Sequence, residues 1–227
     1  MAVFVIGDLH LSTEVDKKMD IFKGWENYEE RIVSNWNESV HEDDTVILLG
    51  DTSWGMSLKE ALPDFKLIDS LPGKKYLVKG NHDYWWESLS KMRTFFQDNG
   101  IKTLDFIHNN SIVCEGKALC ATRGWMMEDG EKSNAKLISR EEGRLRMSLE
   151  SAKDFDGERI AFLHYPPVFM EKETGNMLSI MKEYGVKRCY YGHLHGKSHR
   201  WATNGQYKNI EFHLVSADFL KFKPILL

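Results

Sequence analysis

YLVKGNHDYWW, residues 76–86, begins as an apolar run, stops at a glycine and continues with three side chains that can bind a metal ion or transfer a proton. One such turn alone is a weak indication, because polar residues are common in turns. Four further apolar runs end in the same way, so five predicted strand ends carry side chains of the metal-ligand type. The four segments are GDLH (7–10), GD (50–51), HYPP (164–167) and GHLHG (192–196).

Composition limits the classes of protein that this chain can form. The chain has 227 residues, of which 42% are hydrophobic and 28% charged, so it can bury a core and is predicted to be a single domain, 1–227. A net charge of -4 argues against nucleic acid as a partner, since phosphate backbones are bound by clustered Lys and Arg. A small phosphorylated substrate remains compatible with this charge.

Neither targeting nor disulfide chemistry is indicated by the sequence. The first apolar run, residues 2–6, is too short for a signal peptide and leads directly into Asp8. No stretch approaches the roughly 20 apolar residues of a membrane span. We therefore predict a cytoplasmic protein without a membrane partner. Cys114, Cys120 and Cys189 are odd in number and lie in apolar contexts, which predicts buried free thiols.

The first hundred residues alternate between strand and helix patterns. Apolar strands are predicted at 3–6, 45–49 and 76–78. Apolar spacing of three and four predicts a helix of about twenty residues from Ile21 to Val40, and another at 88–99. Between them, Ser57 and Glu60 have the spacing of a capping box, although Pro63 should break or kink the helix that follows. This order predicts a layered α/β domain with its ligands at the carboxyl ends of the strands.

The second half of the chain begins with a different pattern. Short strands at 103–107, 111–113 and 117–121 predict a meander. A polar loop over 123–134 and a helix capped by Ser139 and Glu142 would follow, and the segment at about 123–157 is a candidate lid. The remaining predicted elements are strands at 159–163, 188–191 and 210–215 and a helix at 177–184.

The predicted strand ends present seven candidate metal ligands. Residues two apart in an extended segment point to the same side, so Asp8 and His10 face one point. Imidazoles and carboxylates without thiolates suit Zn, Mn or Fe, and seven ligands suit two ions that share a carboxylate. The seven are Asp8, His10, Asp51, Asn81, His164, His193 and His195.

These blocks, in this order, resemble the signature of the calcineurin-like metallophosphoesterase superfamily: D-x-H, G-D, G-N-H-[DE], H followed by prolines, and G-H-x-H. The resemblance extends from Gly7 to Gly196. It implies a four-layer α/β/β/α sandwich with two mixed sheets, and two divalent ions, Mn, Fe or Zn. By resemblance, Asp8, His10 and His195 bind the first ion, Asn81, His164 and His193 bind the second, and Asp51 bridges them.

The resemblance also implies a reaction and two catalytic residues. Two divalent ions against two carboxylates leave a surplus of positive charge that would bind phosphate and lower the pKa of a bridging water, giving a hydroxide for in-line attack on phosphorus. His82 would face the substrate and supply a proton to the leaving group. Asp83 could hold the tautomer of His82 and raise its pKa. The leading hypothesis is hydrolysis of small phosphomonoesters or phosphodiesters.

Three alternative functions are kept open. A nucleotide or nucleotide-sugar pyrophosphohydrolase would be favoured if Trp54, Trp85 or Trp86 stacked on a base, although packing of Tyr84, Trp85 and Trp86 beneath the site is the preferred interpretation. A nuclease fits the net charge less well, and a catalytically silent scaffold would be expected to lack several ligands. The sequence favours no particular oligomeric state.

Some further side chains have a structural and a functional interpretation. A structural role as buried side chains is preferred for the histidines outside the five blocks. Trp54 and Tyr165 adjoin ligands and are candidates for lining the pocket. The arginines of the 123–157 segment would serve a lid or a specificity element, but a solvated helix face is preferred. The histidines are His41, His108, His199 and His213, and the segment contains Arg123, Trp125, Arg140, Arg144 and Arg146.

Overall fold

The structure is a computed structural model that describes residues 1–126 and 135–227. This part of the chain forms five α-helices, thirteen strands and two short 3-10 helices, Met19–Ile21 and Gly196–Trp201. The α-helices are α1 (Tyr28–Ser39), α2 (Leu62–Ser70), α3 (Leu89–Asp98), α4 (Ala135–Glu150) and α5 (Met177–Glu183). The strands are β1 (Val3–Ile6), β2 (Thr45–Leu49), β3 (Lys74–Val78), β4 (Leu104–Phe106), β5 (Asn110–Cys114), β6 (Lys117–Thr122), β7 (Glu158–Leu163), β8 (Val168–Phe169), β9 (Lys172–Glu173), β10 (Arg188–Tyr191), β11 (Gly205–Tyr207), β12 (Ile210–Leu214) and β13 (Ile225–Leu226).

Two mixed β-sheets, of five and six strands, form the centre of the fold. The first sheet has the order β13-β1-β2-β3-β4, in which only β13 is antiparallel to its neighbour. The second has the order β11-β12-β10-β7-β6-β5, with antiparallel pairs only at its two edges. The chain passes from the first sheet to the second between β4 and β5, and returns for β13. The α/β class with two mixed sheets is confirmed.

Alternating side chains place the sheets between helices. In β2, Val46 and Leu48 pack with the helices α1 to α3, whereas Ile47 and Leu49 pack into the cluster that lies between the sheets. Phe162 of β7 reaches the same inner cluster. On the far side, α4 and α5 cover the second sheet. Because β2 is apolar on both faces, it suits the inner position that it takes in a four-layer α/β/β/α sandwich.

The helices near the amino terminus differ in part from the predicted ones. The predicted twenty-residue helix is shorter, since α1 begins at Tyr28 after Asn27, which adopts a left-handed conformation with φ 53°. Ile21 lies outside it and is 82% exposed. The prediction that Pro63 breaks the next helix is wrong: α2 begins at Leu62, so the proline occupies the first turn, where a missing N–H costs little.

Other predicted boundaries are matched or corrected. Helix α3 begins after Ser88, whose hydroxyl accepts a hydrogen bond from the Lys91 N–H, so this prediction is confirmed. Ser139 does not cap α4, which already begins at Ala135. Part of the predicted loop 123–134 lies outside the described residues. Within the 123–157 segment, Leu145 of α4 is buried against the second sheet, and a lid role for the segment stays a prediction.

The predicted meander is wrong in its first strand. β4 pairs in parallel with β3 in the first sheet, and only β5 and β6 form a hairpin, in the second sheet. The predicted free thiols are confirmed for all three cysteines, although Cys114 is only half-buried. Within the part of the chain that the structure describes, no helix has the length and apolar character needed to cross a membrane.

Candidate metal centre

The seven candidate ligands meet at one edge of the sandwich. The carboxyl ends of β1, β2 and β3 in the first sheet and of β7 and β10 in the second lie at this edge, and each is followed by at least one ligand. Parallel strands bring their carboxyl ends to the same side, so five separate segments of sequence converge. Asp8 and His10 follow β1, Asp51 follows β2, Asn81 follows β3, His164 follows β7, and His193 and His195 follow β10.

The loops that hold these ligands have unusual backbone conformations. Asp8, His10, Asp51 and His193 all have positive φ, between 48° and 71°. Residues other than glycine rarely adopt positive φ, and such backbone strain concentrates at functional sites. At Gly80 a Cβ would overlap Asp51, so only glycine allows the β3 loop to approach the β2 loop this closely.

The first group of ligands consists of Asp8, His10 and His195, whose ligand atoms lie within 4.8 Å of one another. The Nε2 atoms of His10 and His195 are 3.3 Å apart. Asp8 Oδ1 lies 3.5 Å from His195 Nε2. These separations are those of atoms arranged around a common centre.

The second group consists of Asp51, His164 and His193, again within 4.8 Å. Asn81 joins it, since its Oδ1 lies 2.6 Å from His164 Nε2 and 2.9 Å from His193 Nδ1. Asp51 Oδ2 lies 3.6 Å from His164 Nε2 and 3.8 Å from His10 Nε2, which belongs to the first group. Asp51 therefore stands between the groups, where a bridging carboxylate is expected.

The arrangement fits two divalent cations. His164 Nδ1 lies 3.1 Å from the Leu49 carbonyl and donates to it, so Nε2 turns a lone pair toward the Oδ1 acceptor of Asn81. Asp8 and Asp51 are both buried, and burial followed by the charge of Asp8 raises the pKa of Asp51 to about 8. A cation placed among these acceptors would offset two unfavourable contacts. One is the contact between His164 Nε2 and Asn81 Oδ1, and the other is the repulsion between the buried carboxylates of Asp8 and Asp51. Nitrogen and oxygen donors without a thiolate suit Zn, Mn or Fe.

Asp218 supports the first group and was not found from the sequence. Its Oδ1 accepts a hydrogen bond of 2.9 Å from His195 Nδ1, which directs Nε2 of that ring into the site. Its Oδ2 lies 3.2 Å from His199 Nε2 and accepts from the Gly196 N–H at 2.9 Å. These bonds hold the pKa of Asp218 far below its usual value although burial opposes the shift. His199 thus has a structural role, next to the site.

Asp83 does not contact the ring of His82, so the expected pairing is wrong. Its two carboxylate oxygens accept hydrogen bonds from the N–H groups of Asp51, Thr52 and Gly80, at 2.7 to 3.0 Å, and from Trp85 Nε1 at 3.1 Å. Burial and then the charge of Asp51 raise the pKa of Asp83 to about 7. The carboxylate therefore ties the β2 and β3 loops together.

His82 lies beside the first group and is not part of it. Its backbone N–H donates to Asp51 Oδ1 at 2.7 Å, and its ring centre lies 5.8 Å from that of His10. Its Nδ1 is buried without a hydrogen-bond partner among the described residues. The expected rise of its pKa is absent, since burial lowers the pKa of His82. Trp54 lies 4.6 Å away, centre to centre.

The aromatic residues near the site divide into core and lining. Trp85 is 1% exposed, which confirms its packing beneath the site and excludes base stacking. Tyr84 is 53% exposed, so the prediction that it packs beneath the site is wrong. Trp54 stacks on His10 at 4.8 Å, and Tyr165 lies 4.4 Å from His193, so both adjoin ligands as expected.

Two expectations for basic residues need correction. His41 is not buried, since its side chain is 87% exposed. On α4, Arg140 and Arg146 are exposed as expected, but Arg144 is half-buried and pairs at 2.5 Å with Glu141, whose side chain is fully buried. A solvated helix face therefore does not describe Arg144.

Comparisons with known proteins agree with this geometry. The family model described as calcineurin-like phosphoesterase matches residues 1–197, and the chain belongs to this family. Gene 66 protein of Mycobacterium phage L5 is 40% identical over 58 residues, which are 26% of this chain and 28% of that protein. The chain thus spans less than a third of the phage protein's length in that match.

Solved structures share the fold at low sequence identity. The protein of unknown function AQ665 from Aquifex aeolicus has a TM-score of 0.56 and 18% identity, covering 99% of this chain and 95% of its own. TT1561 of Thermus thermophilus has a TM-score of 0.57 and 13% identity, covering 99% and 97%. GAP50, the anchor in the inner membrane complex of Plasmodium, has a TM-score of 0.53 and 13% identity, covering 96% and 72%.

Proposed function

We propose that the protein hydrolyses phosphomonoesters or phosphodiesters of small molecules with a dinuclear metal centre. The observation that carries this proposal is the position of Asp51 between two groups of nitrogen and oxygen ligands. Membership in the calcineurin-like phosphoesterase family supports metal-dependent phosphoester hydrolysis. Manganese, iron and zinc are the proposed ions, and a small phosphorylated molecule is the proposed substrate in the cytoplasm.

Each candidate ligand has a proposed role in binding one or both ions. Asp8, His10 and His195 would hold one ion, Asn81, His164 and His193 the other, and Asp51 both. When bound, the ions would neutralise phosphate charge and lower the pKa of a water molecule so that it can attack phosphorus. The other described side chains would position these ligands, shape the pocket and move protons.

His82 is the proposed proton donor to the leaving oxygen. It adjoins the ligands without belonging to either group, and its Nδ1 has no partner among the described residues. An anionic phosphate close to the ring would favour the protonated imidazolium, which offsets the lowering of its pKa by burial. Asp83 is proposed to act as a positioning residue, because its carboxylate fixes the backbone of the Asp51 and Asn81 loops.

The alternative functions have less support in the site. Trp85 is buried and cannot stack on a base, so Trp54 is the remaining candidate of that kind next to a ligand. An anchoring role is stated for GAP50. A scaffold function for this chain would not explain why both groups of metal-ligand side chains are present. A nucleotide or nucleotide-sugar pyrophosphohydrolase has one supporting observation, which is the presence of Lys79 and Arg123 beside the second group, after the strands β3 and β6.

The proposal is tested by hydrolysis of bis-p-nitrophenyl phosphate and p-nitrophenyl phosphate by protein that has been chelated and then reloaded with Mn, Fe, Zn or Mg. We expect turnover to disappear on chelation and to return with at least one of the first three ions. The ratio of the two rates assigns diesterase or monoesterase activity. Two bound ions by elemental analysis with no turnover of any phosphoester would contradict the proposal.

The matched variants for this assay are His82→Ala and His41→Ala. His82→Ala should retain both ions and lose about 10²–10⁴-fold in kcat, the usual contribution of general acid catalysis. His41→Ala, at a surface histidine 87% exposed, should keep the wild-type rate. A His82→Ala protein with wild-type kcat would exclude the proton-donor role.

A further inference from the structure

The two sheets extend beyond the second ligand group in the same direction. In the first sheet the strands that carry ligands run β1, β2, β3, and the next strand is β4. In the second sheet they run β10, β7, and the next strand is β6. The residues that follow β4 and β6 therefore flank the Asn81 and His164 side of the centre, away from the first group.

Basic residues occupy this flank. Arg123 follows β6, and its carbonyl accepts a hydrogen bond of 3.0 Å from the Tyr165 N–H, so Arg123 is level with His164 on the neighbouring strand. His108 follows β4 at the level of Lys79, which directly follows β3. The guanidinium of Arg123 lies 5.4 Å from the ring centre of Tyr165. That ring in turn lies 4.4 Å from His193.

Arg144 reaches the same flank from α4. Ser148, one turn after Arg144 on this helix, donates a hydrogen bond of 2.8 Å to the Asn110 carbonyl, and the Asn110 side chain accepts one of 2.7 Å from the His108 N–H. Arg144 therefore lies on the part of α4 that packs next to His108, and burial together with the charges of Arg144 and Lys79 lowers the pKa of His108. Lys79, Arg123 and Arg144 thus form a cluster, called here the basic flank. It contains groups contributed by both sheets and by α4.

The basic flank is only partly neutralised by ion pairs among the described residues. Its one paired member is Arg144, which contacts buried Glu141 at 2.5 Å, and Arg140 also lies 3.5 Å from that carboxylate. Neither Lys79 nor Arg123 forms an ion pair in the described part of the chain, and Arg123 Nε is a buried donor without a partner there. The three cations of the basic flank outnumber the one carboxylate that pairs with them, so an additional anion would stabilise the cluster.

We propose that Lys79, Arg123 and Arg144 form a subsite for a second phosphate group of the substrate, beside the phosphate that is hydrolysed. This inference rests on the proposed function, because the metal centre would hold the reacting phosphate. Arginine suits this task, since its planar guanidinium binds phosphate through paired hydrogen bonds. The substrate class is therefore a molecule with two phosphate groups, joined by an anhydride or placed on separate carbons.

The test compares three ligands that share an adenosine: AMP with one phosphate, ADP with two joined phosphates, and adenosine 3′,5′-bisphosphate with two separate ones. Phosphate release gives kcat/KM for each with the metal-loaded protein, and calorimetric titration gives each affinity. The informative quantity is the preference for a two-phosphate ligand over AMP. Arg123→Gln should lower this preference about tenfold or more, the loss expected for one charge-assisted hydrogen bond.

Control variants separate the subsite from general damage. Arg146→Gln, on α4 but paired with Glu183 away from the site, should keep the wild-type preference. Arg123→Lys should keep part of it because the charge remains. Arg144→Gln is combined with Glu141→Gln, so that no buried carboxylate is left alone, and this double variant should also lower the preference.

The outcomes are distinct. A fall confined to ADP identifies an anhydride-linked phosphate, and a fall confined to the bisphosphate identifies a separate one. An unchanged preference for both ligands in Arg123→Gln overturns the subsite. If the wild-type protein hydrolyses no phosphoester, the proposed function fails, while the affinities from titration still decide whether the basic flank binds a second phosphate.

Discussion

Asp218 shows how a residue outside both ligand groups can orient a side chain of the candidate site. It accepts hydrogen bonds from His195 Nδ1 and from the Gly196 N–H, so one carboxylate sets both the tautomer and the position of a proposed ligand. Such outer carboxylates orient metal-binding imidazoles and raise their basicity. Asp218 belongs to the loop after β12, which closes over the end of β10.

We predict that Asp218→Asn weakens metal binding about 10–100-fold, the usual effect of losing such a partner. The amide keeps the size of the side chain but loses its charge, and it cannot accept both hydrogen bonds equally well. Calorimetric titration of the chelated protein with Mn²⁺ measures the change. Asp98→Asn, at the exposed end of α3, is the control. An unchanged Mn²⁺ affinity in Asp218→Asn would show that His195 does not need this partner.

The sequence predicted which residues lie at the site, but not which side chains bond to each other there. The convergence of the seven ligands could be predicted, because each follows an apolar run that ends at a strand terminus. Asp218 could not, because its loop carries no metal-binding pattern and its role depends on a contact 23 residues away in sequence. The same holds for Asp83, whose sequence neighbour His82 is not its hydrogen-bond partner.

At the scale of elements, the close approach of the loops after β2 and β3 is the critical feature. Asp83 ties these loops together through three backbone N–H groups. Gly80 lies where the two backbones nearly touch, and a Cβ there would overlap the backbone N and the carboxylate of Asp51. The proposed bridging ligand therefore depends on a residue that has no side chain.

We predict opposite effects for the same substitution at two glycines. Gly80→Ala should displace Asp51, lower metal occupancy and cost about 1–3 kcal/mol in the free energy of unfolding, as overpacking usually does. Gly143→Ala, in α4 with no atom within 4 Å of the new Cβ, should stabilise by about 0.5–1 kcal/mol. Urea denaturation and elemental analysis measure both. A Gly80→Ala protein with wild-type stability and two ions would contradict the steric argument.

Element types were easier to predict than element boundaries. Continuous apolar runs predicted β1, β2, β3 and β7 because the inner strands of a covered sheet are apolar on both faces. The start of α1 was missed because Ile21 continues the apolar spacing although it is 82% exposed. The edge strand β13, with two residues, and the β8–β9 hairpin are too short to leave a periodic pattern.

At the scale of the whole molecule, the centre joins the two sheets. Each ligand group draws on both, since Asp8 and His10 of the first sheet face His195 of the second, and Asp51 faces His164. An ion bound there would hold the halves of the sandwich together at one edge. Unfolding of the sandwich would therefore have to release the ions.

We predict that saturating Mn²⁺ raises the thermal midpoint of the chelated protein by about 5–10 °C. An ion at 100 times its Kd contributes about 2.7 kcal/mol, and for a chain of this size about 1 kcal/mol shifts the midpoint by roughly 2–4 °C. Asp51→Asn should lose most of the shift, because Asp51 faces both groups. Differential scanning calorimetry measures it. An Asp51→Asn protein with the full shift would argue against the bridge.

The chain passes from the first sheet to the second only after β4, so the candidate ligands of the first sheet are synthesised before those of the second. A nascent chain that has released β1 to β4 offers Asp8, His10, Asp51 and Asn81. The second group still lacks His164 and His193, and the first group lacks His195. The first group is complete only once His195 has been made, 185 residues after His10. An ion that needs either complete group would therefore bind only after β7 and β10 of the second sheet have been synthesised.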